Sequence, residues 1–252
     1  MTTFSVDSGC ALVTGASRGL GRALALALAQ SGWAVAVNYA HDEAGAAQTV
    51  EGITAAGGTA RAYRFDVTDV EAVERGVEEI RASLGPVAVL VNNATGPQPF
   101  VRLEDQTWED HLGQLRFFVQ APLLLLQAAL PDFRRIGGGR VVNIGSEVVH
   151  LGNAEFGHYV AAKAALVGLS RSWANELGPD GITVNVVEPG WIPVERHADV
   201  DAAAREAYAA TVPLQRMGQP EELAAMVAFL ASPTAAFVTG QSVAVNGGKT
   251  LG

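Results

Sequence analysis

The sequence predicts an α/β protein: a single-domain, doubly wound sheet of about seven parallel strands with helices on both faces. Short β-branched runs alternate with longer alanine- and leucine-rich runs along the 252 residues. Runs such as Val-Ala-Val at 35–37 and Val-Asn-Val-Val at 184–187 are nearly continuous in apolar residues, which is typical of parallel strands covered on both faces. Neither a linker nor an internal repeat divides the chain, so one domain over residues 1–252 is expected.

The elements follow from these runs. Strands are predicted at residues 10–14, 34–39, 59–64, 87–92, 140–144, 183–188 and 242–245. Helices are predicted at residues 20–31, 42–56, 69–84, 105–130, 157–177, 200–210 and 220–231. Several helices start with Asp or Pro and end near Gly, as capping preferences require. The pattern breaks at about 190–217, after a strand end, and this loop–helix segment is predicted to cover the substrate.

Composition and charge exclude several classes of function. Apolar residues make up 49% of the chain and charged residues 17%, as in an ordinary globular protein. The net charge of −9 argues against nucleic acid and, weakly, against anionic membranes as partners. The longest apolar stretch, 117–130, is too short to span a bilayer and contains Pro122, so a buried helix is predicted. With Cys10 as the single cysteine and no signal-peptide pattern, a cytoplasmic location is expected.

The spacing Tyr159-x-x-x-Lys163, with Ser146 upstream, is the most informative pattern in the chain. Four residues span about one helical turn, so the phenol and the ammonium share a helix face. A free phenol has a pKa of about 10 and is a poor base at neutral pH, but a cation held close favours the phenolate. Ser146 follows a predicted strand, where its hydroxyl can hold a carbonyl or alcohol oxygen against the tyrosine. These residues can move a proton but not a hydride, so the chemistry requires a cofactor.

A glycine-rich turn, Thr-Gly-Ala-Ser-Arg-Gly-Leu-Gly at 14–21, joins the first strand to the first helix. Glycine is needed where backbone approaches a pyrophosphate and where a helix packs closely on a strand. Such turns also occur for purely steric reasons, but the position between an apolar strand and an alanine-rich helix favours a dinucleotide site.

The end of the second strand predicts which nicotinamide is bound. A carboxylate there would bond the ribose 2′-hydroxyl and repel a 2′-phosphate, yet the chain has Asn-Tyr-Ala-His at 38–41 and no carboxylate before Asp42. The Arg18 guanidinium can pair with a 2′-phosphate. NADP(H) is therefore favoured over NAD(H). The alternative is that Arg18 is a solvated loop residue and Asn38 a helix N-cap.

Together these residues resemble the short-chain dehydrogenase/reductase family over essentially the whole chain, with the look of its 3-oxoacyl-(acyl carrier protein) reductase-like members. The resemblance implies a Rossmann sheet, usual NADPH dependence and a homotetramer. The pieces that carry it are the turn 14–21, Asp66-Val67, Asn92-Asn93-Ala94, Ser146, Tyr159 with Lys163, Asn185, Pro189-Gly190, Thr-Gly-Gln at 239–241 and Val-Asn-Gly-Gly at 245–248.

The resemblance also implies roles for individual residues. Tyr159 would be the general acid in reduction, Ser146 would hold the substrate oxygen, and Lys163 would bind the nicotinamide ribose and depress the pKa of the phenol. Asp66 and Val67 would contact the adenine. The full set of implied cofactor-binding residues is Gly15, Ser17, Arg18, Gly19, Leu20, Gly21, Asn38, Tyr39, Asp66, Val67, Asn93, Ala94, Tyr159, Lys163, Pro189, Gly190 and Ile192.

Three positions depart from the family pattern. The family's asparagine in the helix after the fourth strand, which props a water connecting the lysine to solvent, is replaced by Leu115, with Gln114 adjacent. Thr95 stands where Asn-Asn-Ala is usually followed by glycine, and Val194 where a threonine hydroxyl often meets the nicotinamide. The proton relay is therefore expected to differ from that of the family, while Ser146 and the Tyr159–Lys163 pair are retained.

The remaining polar residues have alternative interpretations. His158 is expected at a rim or an interface, and Glu147 and His150 in a solvated loop rather than against substrate. Trp191 is either a wall of the substrate pocket or a core residue under the covering segment. The spacing of His, Cys and Asp shows no metal-ligand cluster, so no catalytic metal is expected.

These observations predict an NADP(H)-dependent oxidoreductase that interconverts a ketone or aldehyde and an alcohol. The substrate would be a small carbonyl compound, with a carrier-bound acyl chain also possible, because arginines that could meet an acidic carrier are offset by the net negative charge. One alternative is an NADP(H)-binding protein with weak or no catalysis, acting as a sensor or scaffold. Another is a reductase of C=N or C=C bonds.

Overall fold

Seven parallel strands form one sheet in the order β3-β2-β1-β4-β5-β6-β7, which confirms the predicted fold class. The structure is a computed structural model that describes residues 4–195 and 200–251. The strands are β1 Cys10–Val13, β2 Ala34–Tyr39, β3 Ala60–Arg64, β4 Val87–Asn92, β5 Gly139–Ile144, β6 Ile182–Pro189 and β7 Ser242–Val245. The helices are α1 Gly19–Gln30, α2 Glu43–Ala55, α3 Val70–Leu84, α4 Trp108–Leu115, α5 Ala121–Ile136, α6 Val148–Leu151, α7 Gly157–Leu177, α8 Ala202–Ala210 and α9 Pro220–Ala231.

The helices cover the sheet in two layers. One apolar cluster joins the sheet to α1, α2 and α9, through side chains such as Leu24 and Leu223. The other joins it to α3, α5 and α7, through side chains such as Ile80 and Phe133. Because both faces are buried, β1, β4 and β5 are buried at every residue, which explains their continuous apolar sequence.

The chain reverses its direction of winding at β1. This strand pairs with β2 on one side and β4 on the other, so the connections leave the carboxyl ends of β1 and β4 in opposite directions. Ligands of doubly wound sheets bind in the crevice that opens at such a switch point. The turns after β1, β4, β5 and β6 all meet at this edge of the sheet.

The predicted helix 105–130 is wrong as a single regular helix. It begins only at Trp108, because Thr107 caps α4 by accepting a hydrogen bond from the Asp110 backbone N–H. A π-helical turn, Arg116–Gln120, then separates α4 from α5. The end is also later than predicted: Pro131 lies inside α5, which continues to Ile136. A proline lowers helix propensity but does not override the burial of α5 against the sheet.

The other boundaries lie within two residues of the prediction, except that the short helix α6 was not predicted. Residues 196–199 of the segment expected to cover the substrate, including His197, lie outside the described residues. Within the described part of the chain, no helix is long and apolar enough to cross a membrane.

Candidate active site

The glycine turn has the close packing that its sequence predicts. A Cβ on Gly21 would lie 2.1 Å from the Gly15 carbonyl oxygen and 2.7 Å from Nδ2 of Asn93, a distance that no real side chain tolerates. Gly19, the first residue of α1, has φ +57°, in the left-handed region that favours glycine. The turn therefore brings unobstructed backbone N–H groups to the N-terminus of α1, where an anion is favoured.

Side chains from neighbouring strand ends brace this turn. The Thr14 hydroxyl accepts hydrogen bonds from the backbone N–H groups of Asn93 and Ala94, at 2.9 and 3.0 Å, and donates to the Val91 carbonyl. The Asn93 amide donates in return to the carbonyls of Thr14 and Gly15. Asn93 and Ala94 thus lie at the glycine turn, where the Asn93 side chain bonds to the protein backbone.

Asn38 is not the helix N-cap that one of its two interpretations expected. Its side chain is buried, accepts a hydrogen bond from the Gly15 N–H at 3.2 Å and donates to the Phe65 carbonyl at 3.0 Å. Asp42, not Asn38, caps α2, through the Gly45 N–H at 2.9 Å. The Asn38 amide is therefore engaged by backbone on both sides, whereas Arg18 is exposed at the N-cap of α1.

The remaining predicted cofactor residues lie around the same crevice. Asp66 is exposed after β3, where its carboxylate accepts two hydrogen bonds from Thr68, and Val67 beside it is buried. Pro189 ends β6, and the Gly190 N–H bonds to the Val245 carbonyl at 3.2 Å. Of the other predicted members, Tyr39, Ser17 and Ile192 are buried, and Leu20 is half-buried on the first turn of α1.

The three predicted catalytic residues are buried at the carboxyl edge of the sheet. Ser146 follows β5, and Tyr159 and Lys163 lie on α7, with 8%, 8% and 4% of their surfaces exposed. Lys163 Nζ donates to the Ile144 carbonyl at 2.6 Å, so the ammonium is bound to the last residue of β5, two residues before Ser146. Burial of a phenol next to a fixed cation is an arrangement suited to proton transfer.

Known proteins share this fold and sequence. A family model described as enoyl-(acyl carrier protein) reductase matches residues 15–250. The chain is 40% identical to the 3-oxoacyl-[acyl-carrier-protein] reductase FabG of Staphylococcus aureus over 243 residues, 96% of this chain and 98% of that one. A short-chain dehydrogenase/reductase mutant from Serratia marcescens matches with a TM-score of 0.90 and 32% identity, covering 99% of this chain and 100% of that one. The chain belongs to the short-chain dehydrogenase/reductase family.

A further solved relative was crystallised with a nicotinamide nucleotide. The gluconate 5-dehydrogenase of Burkholderia cenocepacia, in complex with NADP and tartrate, matches with a TM-score of 0.89 and 31% identity. The match covers 98% of this chain and 97% of that one.

The departure at Leu115 from the short-chain dehydrogenase/reductase pattern is visible in the structure. Gln114 is buried and donates to the Pro97 carbonyl at 2.8 Å, turned toward the loop after β4. Leu115 packs against the small apolar cluster of Phe118, Tyr159 and Ala162. The π-helical turn follows directly and places the Phe118 ring 3.8 Å from Lys163 Nζ. Sequence reasoning missed Phe118, whose only signal was Pro122 shortly after it in an otherwise regular helical pattern.

His158 does not lie at a rim, which was one of the two positions expected for it. It is 1% exposed, and its Nδ1 accepts a hydrogen bond from the Tyr159 N–H at 2.7 Å. Its ring packs near those of His111 and Phe156. The contact with His111 comes from α4, far back along the chain, so it was not visible in the local sequence.

The prediction of a solvated loop is wrong for Glu147, whereas His150 is exposed as expected but lies on the short helix α6. The Glu147 carboxylate is buried and accepts a hydrogen bond from the Tyr208 hydroxyl at 2.6 Å, and burial raises its pKa despite that bond. His150 Nε2 lies 2.8 Å from a carboxylate oxygen of the buried Glu188. Both side chains are therefore tied to elements distant in sequence.

The segment 190–217, here called the lid, is attached through Tyr208. Besides meeting Glu147, the Tyr208 hydroxyl accepts a hydrogen bond from the Trp191 N–H at 2.9 Å, and the two rings meet edge-on. A cavity of about 270 Å³ lies behind the lid, lined by lid residues, by the start of α9 and by the end of β7. Trp191 lines this cavity and is half-buried, so it is not a fully buried core residue. The predicted catalytic residues are not among the described lining of the cavity.

Proposed function

We propose that this short-chain dehydrogenase/reductase uses NADP(H) to interconvert a ketone and an alcohol, with a 3-oxoacyl thioester as the class of substrate. The observation that carries the proposal is the burial of Ser146, Tyr159 and Lys163 at the carboxyl edge of the sheet, beside the braced glycine turn. Members at about 40% identity over nearly the whole chain are named 3-oxoacyl-[acyl-carrier-protein] reductases, which supports the substrate class.

The residues present fit a dinucleotide. A Cβ would fill the cradle at Gly21, and the α1 N-terminus favours the pyrophosphate. The exposed Arg18 would pair with the 2′-phosphate that distinguishes NADP(H), and Asn38 would act by bracing Gly15. The complex of a relative with NADP supports the same choice. The other predicted cofactor residues around this crevice would complete the site.

In this proposal, each catalytic side chain has a distinct task. When bound, NADPH supplies the hydride, and with it the two electrons, to the carbonyl carbon. Ser146 holds the carbonyl oxygen, and the Tyr159 phenol gives that oxygen its proton, so the ketone gains one hydride and one proton. Lys163 holds the positive charge that favours the phenolate left behind. The protein mainly contributes positioning and a site screened from water.

Turnover by Tyr159→Phe tests the mechanism. We expect NADPH-dependent reduction of acetoacetyl-coenzyme A to fall by about three orders of magnitude, the size of a lost acid catalyst, with NADPH affinity retained. Tyr63→Phe is the matched control, since that hydroxyl meets Ser83 on α3 at 2.5 Å, remote from the site. Near-normal activity of Tyr159→Phe would exclude the mechanism.

The same assay separates the alternatives. Consumption of NADPH with crotonyl-coenzyme A but not with acetoacetyl-coenzyme A would indicate a C=C reductase, in line with the description of the matching family model. Tight NADPH binding without turnover of any carbonyl, imine or enone would indicate a sensor or scaffold. A much higher kcat/KM with the acyl carrier protein thioester than with the coenzyme A thioester would show that the carrier itself is recognised.

Cofactor choice is tested by titration with NADPH and NADH. We expect NADPH to bind the tighter, and Arg18→Ala to weaken NADPH about tenfold, as the loss of a charge-assisted pair predicts, without changing NADH. Arg75→Ala on α3 is the control for a lost surface charge. Equal affinity for both nucleotides would refute the proposal for NADP(H).

We also propose a homotetramer in the cytoplasm. Large apolar side chains are exposed on the helix layers, including Trp108 at 67%, Leu123 at 38% and Phe229 at 46%, and a subunit interface on either layer would bury them. Light scattering tests the assembly and cell fractionation the location. A monomer at micromolar concentration would refute the tetramer.

A further inference from the structure

The ammonium of Lys163 lies against the face of a phenylalanine ring inside the protein. Lys163 Nζ is 3.8 Å from the centre of the Phe118 ring, and the two residues are only 4% and 3% exposed. The Phe118 ring also meets the Tyr159 ring edge-on, with the centroids 5.4 Å apart. One apolar side chain therefore contacts both members of the proposed proton-transfer pair.

The π-helical turn explains how the ring reaches this position. The Ala121 N–H bonds to the Arg116 carbonyl, five residues back, and Pro122 has no N–H with which to continue a regular ladder. A π-helical turn contains one residue more than an α-helical turn, so it rotates the side chains that precede it about the helix axis. Phe118, in the middle of the turn, faces α7 as a result.

The ring gives the buried ammonium a compensation that an aliphatic side chain would not. Removing an ammonium from water is costly unless other groups stabilise the charge. The Ile144 carbonyl supplies one hydrogen bond, and the face of an aromatic ring supplies a further, electrostatic attraction that is largest at desolvated sites. A methionine or leucine of similar volume would fill the same space without this attraction.

We propose that Phe118 is a positioning residue for proton transfer: its ring face holds the charged Lys163 in place beside Tyr159 and, through that charge, favours the phenolate. The catalytic meaning rests on the proposed function. The contacts of the Phe118 ring with the ammonium and the phenol do not rest on the proposed function, because they exist in the absence of substrate.

Other titratable groups surround the pair, and the test must leave them unchanged. His158 on α7 bonds to the Tyr159 N–H, and His111 on α4 packs against His158. Glu147 follows Ser146 after β5, and His150 with Glu188 lies beyond it. None of them is the group replaced when Phe118 is altered, so they form a constant background in the comparison.

The experiment is an ultraviolet titration of the Tyr159 phenolate in the absence of substrate. Subtracting the curve of a Tyr159→Phe variant made in the same background isolates this phenol from the other tyrosines. We expect Phe118→Met to raise the midpoint by about one pH unit, a tenfold change in proton affinity. Phe133→Met is the matched control, because the buried Phe133 ring packs over Gly139 at the start of β5, and it should leave the midpoint unchanged.

A second series removes the attraction while keeping the shape. Replacing Phe118 by mono-, di- and pentafluorinated phenylalanine weakens the negative ring face in steps, and the midpoint should rise in the same order. A midpoint that stays constant along this series would overturn the proposal, even if Phe118→Met fails to fold.

Kinetics link the coupling to catalysis. In the oxidation of 3-hydroxybutyryl-coenzyme A with NADP⁺, which requires the phenolate, the pH of half-maximal kcat should shift upward with the phenol midpoint, whereas NADP⁺ affinity should change less than threefold. If the wild-type protein oxidises and reduces nothing, the proposed function fails while the titration still decides the role of Phe118. A shift in the phenol midpoint without a shift in the kcat profile of an active enzyme would refute the catalytic role.

Discussion

The glycine turn and the lid form two sides of the candidate site, and they are attached to the rest of the protein in different ways. The turn is braced by Thr14, Asn38 and Asn93, whose side chains bond to backbone groups at the ends of buried strands. The described part of the lid is attached by side chains, the Tyr208 hydroxyl on Glu147 and an ion pair in which Arg216 Nη1 lies 2.7 Å from a Glu222 carboxylate oxygen. Backbone bonds, such as that from the Leu214 N–H to the Gly247 carbonyl at 3.2 Å, add to these. Strand ends are fixed by the sheet, whereas the side-chain bonds that attach the lid can be broken without unfolding the sheet.

This difference predicts where substitutions act. Changes in the turn should alter cofactor binding and stability, because they displace backbone. Changes in the lid outside the predicted cofactor residues Gly190 and Ile192 should alter the Michaelis constant for substrate and leave cofactor binding intact.

The largest effect is expected at Gly21. In Gly21→Ala the new Cβ would lie 2.1 Å from the Gly15 carbonyl oxygen, so the backbone of the turn must move. NADPH affinity should fall at least about a hundredfold, since the pyrophosphate depends on close approach of that backbone. Fluorescence titration measures this. Gly113→Ala on α4 is the control, where a Cβ meets nothing within 4 Å, and affinity there should be unchanged; equal affinities in the two variants would contradict the comparison.

Thr14→Val should lower the free energy of unfolding by about 2–3 kcal/mol. The substitution keeps the shape but removes the hydroxyl that accepts from two backbone N–H groups, and each buried polar group left without a partner costs about 1–3 kcal/mol. Urea denaturation measures the difference. Thr54→Val, which removes an exposed hydroxyl bonded only within α2, should cost less than about 0.5 kcal/mol. A loss at Thr14 as small as that at Thr54 would show that the turn needs no brace.

Tyr208→Phe tests the attachment of the lid. Loss of the hydroxyl leaves the Glu147 carboxylate and the Trp191 N–H without this partner, and we expect the KM for acetoacetyl-coenzyme A to rise about tenfold, as the loss of one charged hydrogen bond predicts. NADPH affinity should stay within twofold of the wild-type value. A fall in NADPH affinity with an unchanged KM would reverse the assignment of the two regions. Tyr63→Phe again serves as the control.

The smallest effect is a pH dependence of stability at Glu147. Burial raises the pKa of this carboxyl, so the folded protein binds the proton more tightly than the unfolded chain, and ionisation costs stability once the pH exceeds the unfolded value. Glu147→Gln keeps an acceptor for Tyr208 and removes this cost. The variant should therefore gain stability relative to wild type as the pH rises from about 4 to 8. Denaturation across this range measures it, with the exposed Glu51→Gln as control; a gain that shrinks with rising pH would contradict the sign.

Sequence reasoning was sufficient where the signal was local. The strands were predicted because parallel strands need apolar runs on both faces, and the glycine turn because its steric demands are carried by a few adjacent residues. The pairing of Tyr159 with Lys163 follows from helical spacing alone. Membership of the short-chain dehydrogenase/reductase family, inferred from these motifs, is confirmed by the comparisons, whereas the roles of the individual site residues stay predictions.

It failed where a side chain finds a partner far along the chain. Asn38 was considered as a helix cap, yet it accepts a hydrogen bond from the Gly15 N–H and donates to the Phe65 carbonyl. Glu147 was expected in solvent, but Tyr208 meets it from the lid. Spacing and propensity report only neighbours within a few residues, so neither contact leaves a signal in the local pattern.

The sequence by itself determined the layers of the fold, the glycine turn and the proton-transfer pair, because periodicity and steric need are written in consecutive residues. Tertiary structure alone decided what surrounds that pair. The absent asparagine suggested an altered proton route, but only the π-helical turn and the packing of α7 show that Phe118 lies against Lys163. Contacts across a core depend on how helices cross and rotate, which local sequence does not specify.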